Sequence, residues 1–165
     1  MRVYADMVAD LFHLGHVEFL KQACALGGYL IVGVMGDDVA TDGKRHPILT
    51  VEERVAVIAA CRYVDEAIPN APWRIDADWI AKHHIDLVVH GDDYSKQELD
   101  YYYRVPIKMG IFRTIPYTYG ISTTDIILRC NEAELQSKKP SSSARPVSAK
   151  KRDSDQTCLT SYTHI

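Results

Sequence analysis

Long hydrophobic runs are missing from this sequence. None of its apolar stretches approaches the ~20 residues that cross a bilayer, no signal-peptide pattern opens it, and a soluble protein with a cytoplasmic location is expected. Cysteine is scarce and scattered. Cys24, Cys61, Cys130 and Cys158 show no CxxC pairing, which argues against a disulfide framework or a zinc ribbon. Cys24 and Cys61 fall on apolar faces of helix-like segments, where a free thiol behaves as a small hydrophobe. No internal repeat is visible, and 165 residues suffice for one domain with its own core.

Large apolar residues also become rare after residue 136, where serine and lysine take over. From Ser137 onward six basic residues stand against two acidic ones, a charge of +4, which leaves −7 on residues 1–136. Such a tail cannot offset its own ordering entropy, so residues 137–165 are expected to be disordered. A basic tail can touch nucleic acid or anionic lipid, but a solvated extension is the plainer reading. No nucleic-acid partner is expected. The tail has no sustained apolar period, so a stable membrane anchor is not expected either.

Residues 1–136 alternate in type. Residues 2–5 (RVYA) form a short strand pattern, and His16 to Leu26 places Val17, Leu20, Ala23 and Cys24 on one helical face. Gly27-Gly28 reads as a left-handed helix cap. Tyr29 to Met35 (YLIVGVM) is a continuous apolar run, the mark of a strand covered on both faces. Strand, helix and strand in this order make a βαβ unit and predict a parallel sheet. Thr50-x-x-Glu53 is a capping box that opens a helix through Cys61. Further segments follow: strand 66–69, helix 78–83, strand 85–90, strand 111–115 and helix 122–135. The fold class is α/β, a Rossmann-like doubly wound parallel sheet, with ligands expected at the carboxyl ends of its strands.

Two motifs carry chemistry. His13-Leu14-Gly15-His16 lies between the first strand and the first helix. Imidazoles three residues apart at a helix N-terminus can face one ligand. Gly15 lets a phosphate approach the backbone, and the helix dipole favours an anion there. Two donors at that spot suit the charge that builds on a phosphorus under attack. A zinc pair or two incidental surface histidines are the competing readings, and no nearby segment supplies further ligands at metal-binding spacing. No metal-ligating residue is assigned. The second motif, Gly120-Ile121-Ser122-Thr123-Thr124-Asp125, offers three hydroxyls at a helix start, although Ser122 with Asp125 also makes an ordinary cap.

YADMVADLFHLGH, CRYVDEAIPNAPW, HGDD and GISTTDII, in this order, resemble the cytidylyltransferase family over about residues 2–130. The resemblance is greatest to the catalytic domain of choline-phosphate and ethanolamine-phosphate cytidylyltransferases. It implies that residues 1–136 transfer CMP from CTP to a phosphorylated alcohol, releasing pyrophosphate and giving a CDP-alcohol for phospholipid synthesis. Mg²⁺ is expected with the CTP. By the same resemblance His13, His16 and Lys44 are catalytic. Asp10, Gly15, Gly91, Asp92, Asp93, Arg113, Gly120, Ile121, Ser122, Thr123 and Thr124 bind nucleotide. Trp73 and Tyr94 line a pocket for a quaternary ammonium, since cations sit well on aromatic faces. A homodimer is implied, with Arg62, Tyr63 and Asp65 at its interface, although that segment equally suits internal bonding.

Three positions depart from the family pattern. Met7 stands where glycine is usual, and Tyr117-Thr118 replaces an arginine-threonine pair. Arg113 or Arg45 could restore the lost positive charge. Arg45 itself follows Lys44 where glycine is common. Phosphocholine and phosphoethanolamine are the favoured acceptors, with glycerol 3-phosphate, a polyol phosphate or a phosphonate as alternatives. Transfer from ATP, or a catalytically silent nucleotide-binding module, are the other readings.

Overall fold

The computed structural model describes residues 1–43 and 45–137. Five parallel strands form one sheet: β1 (Arg2–Met7), β2 (Tyr29–Met35), β3 (Glu66–Ala71), β4 (Leu87–Gly91) and β5 (Phe112–Ile115), in the order β3-β2-β1-β4-β5. Helices α1 (Leu14–Cys24), α2 (Asp37–Gly43), α3 (Val51–Ala59), α4 (Ala77–Lys82), α5 (Lys96–Tyr102), α6 (Arg104–Lys108) and α7 (Thr123–Ser137) connect and flank them. The expected doubly wound sheet is present.

Strand β1 is central, pairing Val3 with Leu30 on one side and with Leu87 on the other. Its alternation sorts the core into two layers. Val3 and Ala5 pack with Leu20 of α1, Ile58 of α3 and Val89. Tyr4 points the other way, towards Ile80 of α4, Val88 and Tyr103. Leu20 and Ile58 are fully buried and each stabilises its helix against the sheet by roughly 1.5–3 kcal/mol. Cys24 and Cys61 are partly buried against the first layer, as small hydrophobes would be. The chain winds outward from β1 to β3, then crosses back to β4 and out to β5. The switch lies between β1 and β4, and their carboxyl ends part there to leave a crevice.

The capping box at Thr50 and Glu53 forms as expected, each side chain bonding the other's backbone N–H. Several boundaries differ. Helix α1 begins at Leu14 and β3 runs on to Ala71, where Asn70 adopts φ 54° beside a register shift against β2. Helices α2, α5 and α6, each of five to seven residues, are too short to show a helical period, although Ser95 and Glu98 form a legible capping box at α5.

Gly27-Gly28 is not a left-handed cap. Helix α1 closes at Ala25 in the ordinary helical region, and among the described glycines only Gly110 and Gly120 have positive φ. Gly27 serves packing instead. A Cβ there would lie 2.5 Å from Val3 Cγ2 and 2.9 Å from the Met1 carbonyl oxygen. Helix α7 ends at Ser137, and the remainder of the expected tail, residues 138–165, lies outside the described residues.

Arg54 of α3 is the largest fully buried side chain. It donates to the carbonyls of Leu49 and Val8 and pairs with Asp37. Removing its charge strands those acceptors. Arg54→Met should lower stability by about 2–3 kcal/mol, because Asp37 stays partly hydrated, and urea unfolding reads this directly. An unchanged midpoint would contradict the role given to Arg54.

Candidate active site

The crevice at the switch point is a cleft of about 410 Å³, within the range of small-molecule sites. Four segments build it. The β1–α1 loop contributes Asp6 to Asp10, His13, Gly15 and His16. The stretch after α2 contributes Arg45, the end of β4 His90, Gly91, Asp93 and Tyr94, and the approach to α7 Tyr117, Thr118 and Ser122 to Thr124.

The β1–α1 loop is held in a conformation it would not adopt alone. Ala9 and Leu11 have φ of 60° and 47°, a left-handed backbone that costs a non-glycine residue about 1–3 kcal/mol. Asp10 offsets this. Its carboxylate accepts the N–H groups of Ile48 and Leu49 at 3.0–3.1 Å and a guanidinium N–H of Arg45 at 2.7 Å. Burial alone would raise the Asp10 pKa, but these donors outweigh it and hold the carboxyl below its usual range. Thr123 Oγ donates to the Asp10 carbonyl at 2.9 Å, tying α7 to the same loop.

His13 is the N-cap of α1. Its Nδ1 accepts the Gly15 N–H at 3.2 Å, and His16 Nδ1 accepts the His13 N–H at 3.2 Å. This reciprocal box has a chemical consequence. An Nδ1 that accepts leaves the proton of a neutral imidazole on Nε2, which makes that nitrogen the donor of each ring. The ring centroids are 3.9 Å apart, and Phe12 stacks on His16 at 5.5 Å. Burial lowers the His13 pKa, the Arg129 charge lowers it further, and Asp125 opposes both. His13 is therefore neutral at physiological pH, as its cap requires. Gly15 leaves room for this fold-back, since a Cβ there would come 3.0 Å from His13 Cε1.

At the cleft floor Asp6 is 2% exposed. Tyr103 donates to one oxygen at 2.7 Å, and the other oxygen has no hydrogen-bond partner among the described residues. Burial raises its pKa against the opposing influence of His90 and the Tyr103 bond. Aromatic rings extend from there: His90 to Tyr94 at 4.2 Å, Tyr94 to Tyr102 at 5.8 Å, and Tyr102 to Trp73 at 5.4 Å.

The structure thus brings Asp10, His13, Gly15, His16, Gly91, Asp93, Tyr94, Ser122, Thr123 and Thr124 to one cleft. Ser122 also caps α7, bonding the Asp125 N–H at 3.1 Å. Other expected residues lie elsewhere. Trp73 does not line the cleft and packs against Tyr102 instead. Asp92 accepts the Tyr117 N–H at 2.7 Å and so fixes the approach to α7 rather than lining the cleft. Gly120, at φ 93°, and Ile121 shape the turn into α7. Arg113 is exposed on the edge strand β5 and does not line the cleft. Met7 forms part of the wall. Lys44 lies outside the described residues. Asp65 bonds the Leu30 N–H at 2.7 Å and Tyr63 packs on the core, so both are engaged within the chain.

Asp6, His90 and Tyr117 were not foreseen at the site. A carboxylate closing a buried central strand was the available signal for Asp6.

The Cytidylyltransferase-like family model matches residues 6–129, a span that opens on Asp6 and includes every segment of the cleft. The chain belongs to the cytidylyltransferase-like family. It is 43% identical over 140 residues to an ethanolamine-phosphate cytidylyltransferase of Dictyostelium discoideum, a match covering 81% of this chain and 39% of the relative. It is likewise 43% identical over 132 residues to choline-phosphate cytidylyltransferase A of Homo sapiens, covering 78% and 36%. The chain thus spans under two fifths of the length of these two curated relatives. A crystal structure titled as a lipopolysaccharide core biosynthesis protein from Thermoplasma volcanium superposes with a TM-score of 0.60 at 28% identity, covering 73% of this chain and 98% of that one.

The capping role of His13 can be separated from the catalytic role that the resemblance implies for it. His13→Asn keeps an acceptor at the N-cap, whereas His13→Ala loses about 1 kcal/mol of cap stability. Both should reduce any transfer activity by about 10²-fold or more, because neither retains the ring donor. Equal thermal stability of the two variants would contradict the capping role. The lowered His13 pKa means that the unfolded chain takes up this proton first on acidification. Stability from His13 is thus complete above ~6.5 and is lost as pH falls below that value.

Proposed function

We propose that this chain transfers CMP from CTP to the phosphate of a small phosphorylated alcohol bearing a cationic headgroup, with release of pyrophosphate. The observation that carries the reading is convergence: the paired imidazoles of His13 and His16 and the hydroxyls of Ser122, Thr123 and Thr124 line one cleft. The names of the relatives, ethanolamine-phosphate and choline-phosphate cytidylyltransferase, agree with it.

In the proposed reaction an oxygen of the acceptor phosphate attacks the α-phosphorus of CTP. The new P–O bond forms as the bond to the β-phosphate oxygen breaks, and the electron pair leaves with pyrophosphate. The nucleophile is already ionised, so no general base is needed. The chain holds two anions in line and stabilises the growing charge through the Nε2–H donors of His13 and His16. Ser122 to Thr124 would hold the triphosphate from the start of α7.

Mg²⁺ is read as arriving with CTP. No group of three His, Cys, Asp or Glu side chains suited to a metal occurs among the described residues, and Mg²⁺ commonly binds through substrate phosphates with few protein ligands. When bound it would neutralise phosphate charge.

Asp6 favours a cationic acceptor over glycerol 3-phosphate, a polyol phosphate or a phosphonate without a positive charge. A buried carboxylate with one unpartnered oxygen, beside His90 and Tyr94, suits an ammonium group. The silent-module reading gains some support from Tyr117, which stands where the resemblance places an arginine. We also read the protein as a cytoplasmic homodimer. Among the described residues no helix is long and apolar enough to cross a membrane.

A pyrophosphate-release assay over CTP and ATP, paired with phosphocholine, phosphoethanolamine and glycerol 3-phosphate, tests the reading. Release is expected with CTP and the two cationic acceptors. Asp6→Asn should raise the acceptor KM at least tenfold while leaving CTP affinity within about twofold. The raised pKa of Asp6 adds a pH signature, since its charge is lost on the acid side and acceptor KM should rise as pH falls. CTP binding without pyrophosphate release from any pair would instead favour the silent module.

A further inference from the structure

The cleft is poor in positive charge for a site that would hold a triphosphate. Among its described lining residues three carboxylates, Asp6, Asp10 and Asp93, stand against one guanidinium, Arg45, with His13 held neutral. A polyanion in this setting needs a cation.

Three arginines compete for the role. Arg113 is exposed on edge strand β5 and does not line the cleft. Arg129 is felt by His13, but it also lies outside the lining, and its Nε donates to the Asp125 carbonyl at 3.3 Å. Arg45 alone of the three lines the cleft, with its side chain 38% exposed. Its Nη2 donates to Asp10 Oδ2 at 2.7 Å and its Nη1 to the His46 carbonyl at 3.1 Å.

These two bonds leave most of a guanidinium's five N–H donors for a ligand. They also fix the group in place. Asp10 is itself pinned by the Ile48 and Leu49 N–H groups and lies three residues before His13. Arg45 is therefore held in register with the imidazoles, and it can grip an anion without first leaving Asp10. A planar fork of this kind suits bidentate phosphate binding.

We propose that Arg45 is the triphosphate-gripping arginine of this chain. The inference rests on the CTP reading above. It makes Arg45 responsible for the part of nucleotide affinity that comes from the β- and γ-phosphates.

Calorimetric titration of the full chain with CTP and with CMP separates that part. The wild type should bind CTP more tightly than CMP. Arg45→Gln should weaken CTP roughly 10- to 100-fold while leaving CMP within about twofold, and Arg45→Lys should fall between, because it keeps charge but loses the fork. Tyr117 lines the same cleft, so adding Tyr117→Arg to Arg45→Gln should recover CTP affinity. Thermal unfolding of each variant checks that the Asp10 loop survives. Unchanged CTP binding in Arg45→Gln, or equal losses for CTP and CMP, would overturn the inference, the second outcome marking Arg45 as a loop brace only. A wild type that does not distinguish CTP from CMP would sink the CTP reading itself, and the inference with it.

Discussion

The Asp10 carboxylate is the interaction on which this site depends. It bonds the backbone of Ile48 and Leu49 and the guanidinium of Arg45, while its own carbonyl receives Thr123. Two segments far apart in sequence, residues 45–49 and the start of α7, are thereby fixed around one loop. That loop carries two non-glycine residues in left-handed backbone, a strain that persists only where surrounding bonds over-determine it. Arg54 secures the preceding turn through Val8. The His13–His16 capping box then orients both rings from an anchored base.

The histidine pair shows structure and chemistry in the same bonds. A cap usually requires only a side-chain acceptor. With imidazole in that place, the cap also selects the tautomer and leaves the Nε2 proton for a ligand. The lowered His13 pKa keeps the acceptor free. Asp6 sits in the opposite condition, a buried carboxylate with one oxygen unanswered among the described residues. A cleft with donors at the α1 end and an unpartnered acceptor at its floor suits a molecule that is anionic at one end and cationic at the other.

Much of this was legible in the sequence because its signals are local. The βαβ unit, the covered run YLIVGVM, the Thr50 capping box and the HLGH spacing each specify themselves within a few residues. What escaped depends on distant contacts. Gly27-Gly28 carries the signature of a helix end, but Gly27 is there because Val3 and Met1 press on it. The resemblance implies a pocket role for Trp73, but its ring packs on Tyr102 and does not line the cleft. No local rule ranks Arg45 above Arg113, because the choice depends on which loop Asp10 captures. Asp6 reads as a strand residue until the sheet order sets it at the switch point.

The central claim is that the starts of α1 and α7 hold one nucleoside triphosphate. A crystal structure of the chain with CTP tests this most directly. The account predicts the α-phosphate within about 3 Å of the His13 and His16 Nε2 atoms, with the outer phosphates against Ser122 to Thr124. A nucleotide that touches only one of these two helix starts, or that lies outside the cleft, would contradict it.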